Sequence, residues 1–197
     1  MKRIIVGITG ASGSCYAKKL IEYLLKSGIE VHLVITNAGR EVANYELGWS
    51  LSGNPKQDQQ YLDDLFQTTA IHLYDEAHIG ASIASGSVRM DGMVVIPASM
   101  GTVSGIATGR SINLLERSAD VILKEKRNLI MVPRETPFSE IHLNNLLTLA
   151  RMGVDIIPAM PAFYNHPESI DDLVDNLVGR VLDHLGVEQD VYRRWEG

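Results

Sequence analysis

Short apolar runs recur along the chain, and longer amphipathic stretches separate them. The runs are rich in valine and isoleucine and lack polar alternation, which is typical of strands buried on both faces. A last apolar run, within residues 154–165, continues into a proline-rich loop. We therefore predict strands at residues 4–8, 30–36, 71–74, 91–97, 127–133 and at the start of 154–165.

The amphipathic stretches repeat their apolar positions every three to four residues, as one face of a helix does. The stretch at 170–185 has the clearest stripe, and glycine-rich residues after position 97 mark a further helix start. Residues 49–67 are polar and contain "SGNPKQDQQ", so we predict a loop-like excursion there. The predicted helices cover residues 14–27, 38–47, 111–124, 139–152 and 170–185.

Strands and helices thus alternate along the whole chain. This order predicts an α/β fold with one doubly wound, Rossmann-like or flavodoxin-like parallel sheet and helices on both faces. We expect residues 1–197 to form a single domain. Ligands of such sheets bind beyond the carboxyl ends of the strands, so those ends are the places to search for chemistry.

Composition narrows the class of protein. The chain has 197 residues and a formal net charge of −6, and its 18 Lys and Arg residues are scattered, which argues against a nucleic-acid partner. One cysteine, Cys15, cannot form an intramolecular disulfide, as expected in a reducing compartment. The first apolar run is too short for a signal sequence or a membrane span. We therefore expect a cytoplasmic protein.

The first strand end carries a glycine-rich turn, "GITGASG", with Gly7, Gly10 and Gly13. This spacing differs from the dinucleotide fingerprint, and the second strand ends in Thr36 and Asn37 without the acidic residue that holds a ribose. The triphosphate loop is also absent. The turn is therefore either a general anion-binding site at a helix N-terminus or a tight turn that lets helix and strand pack closely.

Two further strand ends carry polar groups. Ser99, Gly101 and Thr102 begin a helix after the strand at 91–97, and Arg134 and Glu135 follow the strand at 127–133. Two hydroxyl-rich turns at neighbouring strand ends suit a mononucleotide. The Arg–Glu pair alone is equally compatible with a surface loop, but its place on the same sheet edge favours a functional site.

In these motifs and several others, the chain resembles the flavin prenyltransferases of the UbiX/Pad family. The resemblance covers nearly the whole length of the chain in order. The segments that carry it are "GITGASG" (7–13), "PASMGT" (97–102), "LKEKRNLIMVPRETPFSEIHLNNLL" (123–147), "PAFYNHPESIDDLV" (161–174) and "RRW" (193–195).

The resemblance implies a metal-independent reaction in which dimethylallyl monophosphate alkylates reduced FMN at N5 and then at C6. The product, prenylated FMN, would pass to a UbiD-type decarboxylase. The family also implies a homo-oligomer, a dodecamer, with sites between subunits.

The same resemblance assigns site residues by position. One set matches the FMN contacts of the family: Gly10, Ala11, Ser12, Thr36, Ser99, Met100, Gly101, Thr102 and Arg134. A second set matches its polar catalytic cluster: Glu46, Lys124, Arg134 and Glu135. A third matches the prenyl-phosphate site: Tyr164, Arg180 and Lys124, with Trp195 as a C-terminal aromatic that closes over it.

Cations suit that chemistry, because an allylic phosphate ionises more readily when positive charge stabilises the leaving group. The segment "DDLVD" at 171–175 imitates a Mg²⁺-binding prenyl-diphosphate motif. We predict instead that Ser169 and Asp172 cap the last helix. The six histidines show no zinc spacing, so no metal is expected.

Two other functions stay open. A flavin-dependent cysteine decarboxylase of the same superfamily typically reads "PASANT", whereas this chain reads "PASMGT" with Gly101 in place of the asparagine. A non-catalytic FMN-binding subunit of a decarboxylase would not need the set of charged residues named above.

Overall fold

The computed structural model describes residues 1–192, and its centre is one sheet of six parallel strands. The strand order is β3-β2-β1-β4-β5-β6. This order and the parallel pairing confirm the predicted doubly wound α/β fold. The strands are β1 (Arg3–Ile8), β2 (Glu30–Ile35), β3 (Ile71–Tyr74), β4 (Gly92–Ala98), β5 (Leu129–Pro133) and β6 (Asp155–Ile156).

Helices cover both faces of the sheet and bury two apolar cores. Side chains of α1, α2, α3 and α7 fill the core on one face, and those of α4, α5 and α6 fill the other. The helices are α1 (Ser14–Lys26), α2 (Asn37–Leu47), α3 (Pro55–Phe66), α4 (Met100–Ala107), α5 (Leu114–Lys124), α6 (Glu140–Arg151) and α7 (Ile170–His184).

The strand order reverses between β1 and β4, which are neighbours in the sheet. The chain leaves β1 towards α1 on one face and leaves β4 towards α4 on the other. A crevice therefore forms at the carboxyl edge between these two strands, where doubly wound folds bind their ligands.

The prediction of a loop across residues 49–67 is wrong, because α3 occupies most of it. Asn54 caps this helix by accepting hydrogen bonds from the N–H groups of Lys56 and Gln57, and Pro55 fits the first helical position. The buried Asp58 carboxylate accepts hydrogen bonds from the N–H groups of Ser52 and Gly53 at 2.6 and 2.8 Å. Most side chains of α3 are polar because only a narrow face of this helix packs against the rest of the protein.

The predicted cap of α7 is confirmed. The Ser169 hydroxyl accepts a hydrogen bond from the N–H of Asp172 at 3.1 Å, and the Asp172 carboxylate accepts one from the N–H of Ser169 at 3.1 Å. Hydrogen bonds from Glu168 N–H and from Ser169 lower the pKa of Asp172. Asp172 thus caps the helix, while Asp171 and Asp175 pair with Lys19, and Asp175 also accepts a hydrogen bond from the Tyr23 hydroxyl. Within residues 1–192, no helix is long and apolar enough to cross a membrane.

We predict that Asp58→Ala destabilises the protein, because it removes the buried carboxylate that accepts hydrogen bonds from the N–H groups of Ser52 and Gly53. The expected loss in the free energy of unfolding is about 2 kcal/mol, measurable by urea denaturation. Asp64→Ala is the matched control, since Asp64 is exposed on the same helix and accepts a hydrogen bond from the Gln60 side chain. Equal stability of the two variants would contradict the capping role.

Candidate active site

The Glu46 carboxylate occupies the anion-binding site at the start of α1. Its carboxylate accepts hydrogen bonds from the N–H of Gly13 at 3.0 Å and from the N–H of Ser14 at 2.8 Å. The glycine-rich turn therefore does bind an anion, as its sequence allowed, but the anion is a side chain of α2. Sequence reasoning placed Glu46 in the site only through the family resemblance, because nothing local distinguishes it from a solvent-facing glutamate.

Hydrogen bonding keeps this carboxylate ionised. Burial raises the pKa of Glu46, but hydrogen bonds from the Ser12 side chain and from the N–H groups of Gly13 and Ser14 outweigh it and lower the pKa overall. The positive end of the α1 dipole acts in the same direction. A fixed negative charge thus stands at the carboxyl edge of β1.

The start of α2 lies directly beside the glycine-rich turn. Thr36 caps α2 by accepting a hydrogen bond from Gly39 N–H at 3.0 Å. A Cβ on Gly10 would come within 2.6 Å of the Ala38 Cβ, and one on Gly39 within 2.6 Å of the Ile8 carbonyl oxygen. Both glycines are therefore needed for close packing, which brings Thr36 and the turn at 10–13 together.

The start of α4 forms the second hydroxyl-rich turn. Ser99 caps this helix, and its Oγ lies 3.2 Å from the Thr102 Oγ1. Met100 turns its side chain into the core, where it is 6% exposed, so only its backbone can face a ligand. No atom of residues 1–192 lies within 4 Å of a Cβ built on Gly101, so these residues leave open space above the turn.

Arg134 supplies the positive charge of the site. Its N–H donates to the Ala98 carbonyl at 3.2 Å, and its Nε donates to the Ser12 carbonyl at 3.2 Å. The guanidinium group therefore lies against the glycine-rich turn. Glu135, the next residue, accepts a hydrogen bond from Thr136 N–H at 2.9 Å and is partly exposed.

These contacts bring most of the predicted flavin contacts together along one sheet edge. From Thr36 after β2 to Arg134 after β5, the edge spans three strand spacings, about 14 Å. Hydroxyl groups, backbone N–H groups and one guanidinium face a surface that Gly101 leaves open. This donor set and this length fit FMN, which has a flat ring system at one end and a phosphate at the other.

Lys124 lies at the opposite edge of the same sheet. It is the exposed last residue of α5 and precedes the start of β5, whereas Arg134 follows the end of β5. The five residues of β5 separate the two positions by about 16 Å, farther than a lysine side chain reaches. One copy of the chain cannot place Lys124 beside Arg134.

Arg180 also lies away from the glycine-rich turn. It is exposed on α7, four residues before His184, whose carbonyl accepts from Asn128 Nδ2 and whose ring contacts Asp155 at 2.9 Å. Asn128 and Asp155 stand at the amino ends of β5 and β6. Arg180 is therefore in the half of the molecule that faces away from the site.

The remaining predicted ligands lie in the C-terminal part. Tyr164 is 45% exposed in the loop that follows β6, beside Phe163 at 65%. Trp195 lies outside the described residues. Within residues 1–192, no group of three or more His, Cys, Asp or Glu side chains is arranged to hold a metal ion.

Sequence reasoning missed Thr9, which links the two ligand-facing turns. Its hydroxyl donates to the Pro97 carbonyl and accepts from Ser99 N–H, both at 2.7 Å. A polar residue at the end of an apolar strand, just before a glycine-rich turn, was the signal available in the sequence.

Comparison with known proteins assigns the family. The flavoprotein family matches residues 1–182. The flavin prenyltransferase UbiX of Halalkalibacterium halodurans is 50% identical over 194 residues, which cover 96% of this chain and 91% of that protein.

Solved structures agree with this assignment. The crystal structure of AnUbiX in complex with FMN and dimethylallyl pyrophosphate is 38% identical with a TM-score of 0.87, over 100% of this chain and 98% of that one. A dodecameric FMN-dependent UbiX-like decarboxylase from Escherichia coli O157:H7 is 44% identical with a TM-score of 0.88, over 99% of this chain and 100% of that one. This chain therefore belongs to the flavoprotein family and, within it, to the flavin prenyltransferases of the UbiX type.

Proposed function

We propose that this chain transfers the dimethylallyl group of dimethylallyl monophosphate to reduced FMN. The transfer breaks the allylic carbon–oxygen bond, releases inorganic phosphate and forms new carbon bonds to N5 and C6 of the flavin. The prenylated FMN is then supplied to a UbiD-type decarboxylase. Residues 1–197 would act as one flavoprotein domain.

The main support for this proposal is a pair of opposite charges held on the glycine-rich turn. Glu46 binds the N–H groups of Gly13 and Ser14, and Arg134 binds the carbonyl of Ser12. Arg134 would also serve a site that only stored a flavin, but such a site would not need a carboxylate held ionised beside it.

The residues on this edge have distinct proposed roles. Reduced FMN, when bound, supplies the nucleophilic N5 and the second attachment atom, C6. The turns at 10–12 and 99–102, with Thr36 and Arg134, hold the ring system and its side chain. Glu46, which binds the glycine-rich turn, and Glu135, which follows Arg134, are the carboxylates proposed to accept or return protons, while released phosphate offers a further acid–base group.

The leaving phosphate needs cations, and we propose that Lys124, Arg180 and Tyr164 provide its site without a metal ion. Lys124 and Arg180 lie in the half of the molecule opposite Arg134, so they must come from other copies of the chain. Trp195 is proposed to close over the prenyl group.

The surface supports such an assembly. Helix α6 buries only Leu149, while Ile141, Leu143 and Leu147 are 69%, 54% and 48% exposed. Apolar side chains exposed in this number on one helix are typical of a surface that another protein covers. We propose that further copies of this chain cover it, in a dodecamer like that of the E. coli neighbour.

The direct test is an anaerobic incubation of the purified protein with reduced FMN and dimethylallyl monophosphate. We expect a flavin heavier by one isoprene unit, seen by mass spectrometry, and an altered absorption spectrum. The reaction should persist in a metal chelator. An unmodified flavin, with oxidative decarboxylation of a cysteine peptide, would contradict the proposal and favour the cysteine decarboxylases. A parallel arm with the diphosphate tests the choice of leaving group.

Subunit mixing tests the shared site. We expect Lys124→Ala and Arg134→Ala each to remove most turnover when expressed alone. Co-expressed with different tags and purified as mixed oligomers, they should recover activity, because about one site in four receives both intact residues from a random mixture. Mixed oligomers that remain as inactive as either parent would contradict a site built from two copies.

Glu46→Gln tests the fixed carboxylate. The amide keeps one acceptor oxygen for the N–H groups of Gly13 and Ser14 but holds no charge. We expect turnover to fall by about a hundredfold or more, with FMN still bound, because a proton-transfer group is lost. Glu41→Gln, at an exposed position of the same helix, is the control. Unchanged turnover in Glu46→Gln would refute the acid–base role.

A further inference from the structure

Thr9 links the ends of the two central strands. It directly follows β1 and is 1% exposed. Its Oγ1 donates to the Pro97 carbonyl at 2.7 Å and accepts from the Ser99 N–H at 2.7 Å. A single hydroxyl thus satisfies one acceptor and one donor of the chain that leaves β4.

This link lies beyond the point where backbone pairing connects β1 and β4. The paired positions of β1 and β4 run from Ile4 with Gly92 to Gly7 with Val95 and stop there. Beyond that pair, β1 leads into the glycine-rich turn and β4 leads into α4. The side chain of Thr9 continues the connection that the backbone ladder has ended.

Both turns proposed to contact the flavin begin at this link. Gly10 is the residue after Thr9, and Ser99, whose N–H binds Thr9, caps α4 through its own hydroxyl. Because the N–H of Ser99 is committed to Thr9, the ligand-facing donors of this turn are the Ser99 hydroxyl and the groups that follow it.

We propose that Thr9 is a positioning residue, which sets the distance and angle between the turn at 10–13 and the turn at 99–102 and so shapes the flavin site. The proposal rests on the assignment of these turns to FMN under the proposed function. Thr9 itself, buried behind the turns, does not contact the flavin and acts only through Gly10 and Ser99.

The chemistry of the side chain makes the proposal specific. Valine has nearly the same shape and the same preference for extended backbone, but it leaves the Pro97 carbonyl and the Ser99 N–H without a partner. Serine keeps the hydroxyl and loses only a methyl group. A role in packing would favour valine over serine, whereas a role in positioning favours serine over valine.

The test compares Thr9→Val, Thr9→Ser and Thr9→Ala in the full oligomer, with Ser118→Ala as the control. Ser118 is a fully buried serine on α5 whose hydroxyl has no hydrogen-bond partner among residues 1–192, so its loss removes a buried oxygen away from both turns. Five quantities are measured: the melting temperature, the Kd for FMN, the visible spectrum of bound flavin, and kcat and KM for dimethylallyl monophosphate at saturating FMN.

We expect Thr9→Val to raise the Kd for FMN about tenfold or more, to shift the flavin absorption bands, and to lower kcat with little change in KM for dimethylallyl monophosphate. Thr9→Ser should restore all three towards the parent values. Ser118→Ala should change the melting temperature at most.

Normal FMN affinity, spectrum and kcat in Thr9→Val would overturn the proposal, and so would failure of Thr9→Ser to restore them. If Thr9→Val does not fold, Thr9→Ala against Thr9→Ser decides the same question, and equal FMN affinity in the two would overturn it. The flavin affinity and spectrum need no prenyl donor. A parent protein that binds FMN without prenylating it would therefore refute the proposed function separately.

Discussion

The carboxylate of Glu46 on the first N–H groups of α1 is the interaction around which the site is organised. It fills the position that a ligand phosphate takes in many sheets of this topology, and it ties α2 to the start of α1. The glycine-rich turn is thereby converted from an anion-binding loop into a platform that presents a negative charge. Positive charge must then come from elsewhere, and Arg134 brings it from the end of β5 to the same turn.

This arrangement separates the two halves of the proposed chemistry. The turns around Thr9, Gly10 and Ser99 offer hydroxyl and amide groups, which suit a flavin, and they belong to one chain. The cations proposed for the leaving phosphate, Lys124 and Arg180, stand at the other end of that chain. Under this proposal, the phosphate-binding surface and the flavin-binding surface come from different subunits. The exposed apolar side of α6 is then the expected consequence of a site that needs neighbours.

Several parts of this molecule were predictable from local pattern. The valine- and isoleucine-rich runs without alternation identify buried parallel strands, and the stripe of α7 identifies its buried face. The cap of α7 at Ser169 was predictable because a serine followed by an acidic residue three positions later satisfies helix N–H groups locally. Helix α3 was not predictable in this way. It buries little more than Asp58 and Leu62, and hydrogen bonds to the loop at 52–54 stabilise it. Such hydrogen bonds leave no periodic pattern of apolar residues in the sequence.

The sequence by itself determined the layered α/β fold, the edge of the sheet that carries the site and, through the family resemblance, the residues proposed to act there. These features depend on the spacing of hydrophobic residues, on the residue types that favour turns, and on motifs that follow one another along the chain. Only the tertiary structure decided that Glu46 occupies the anion-binding site at α1, that Thr9 joins the two central turns, and that Lys124 and Arg180 face away from Arg134. Those facts depend on which side chains from distant parts of the chain come within hydrogen-bonding distance, and no spacing along the sequence encodes such distances.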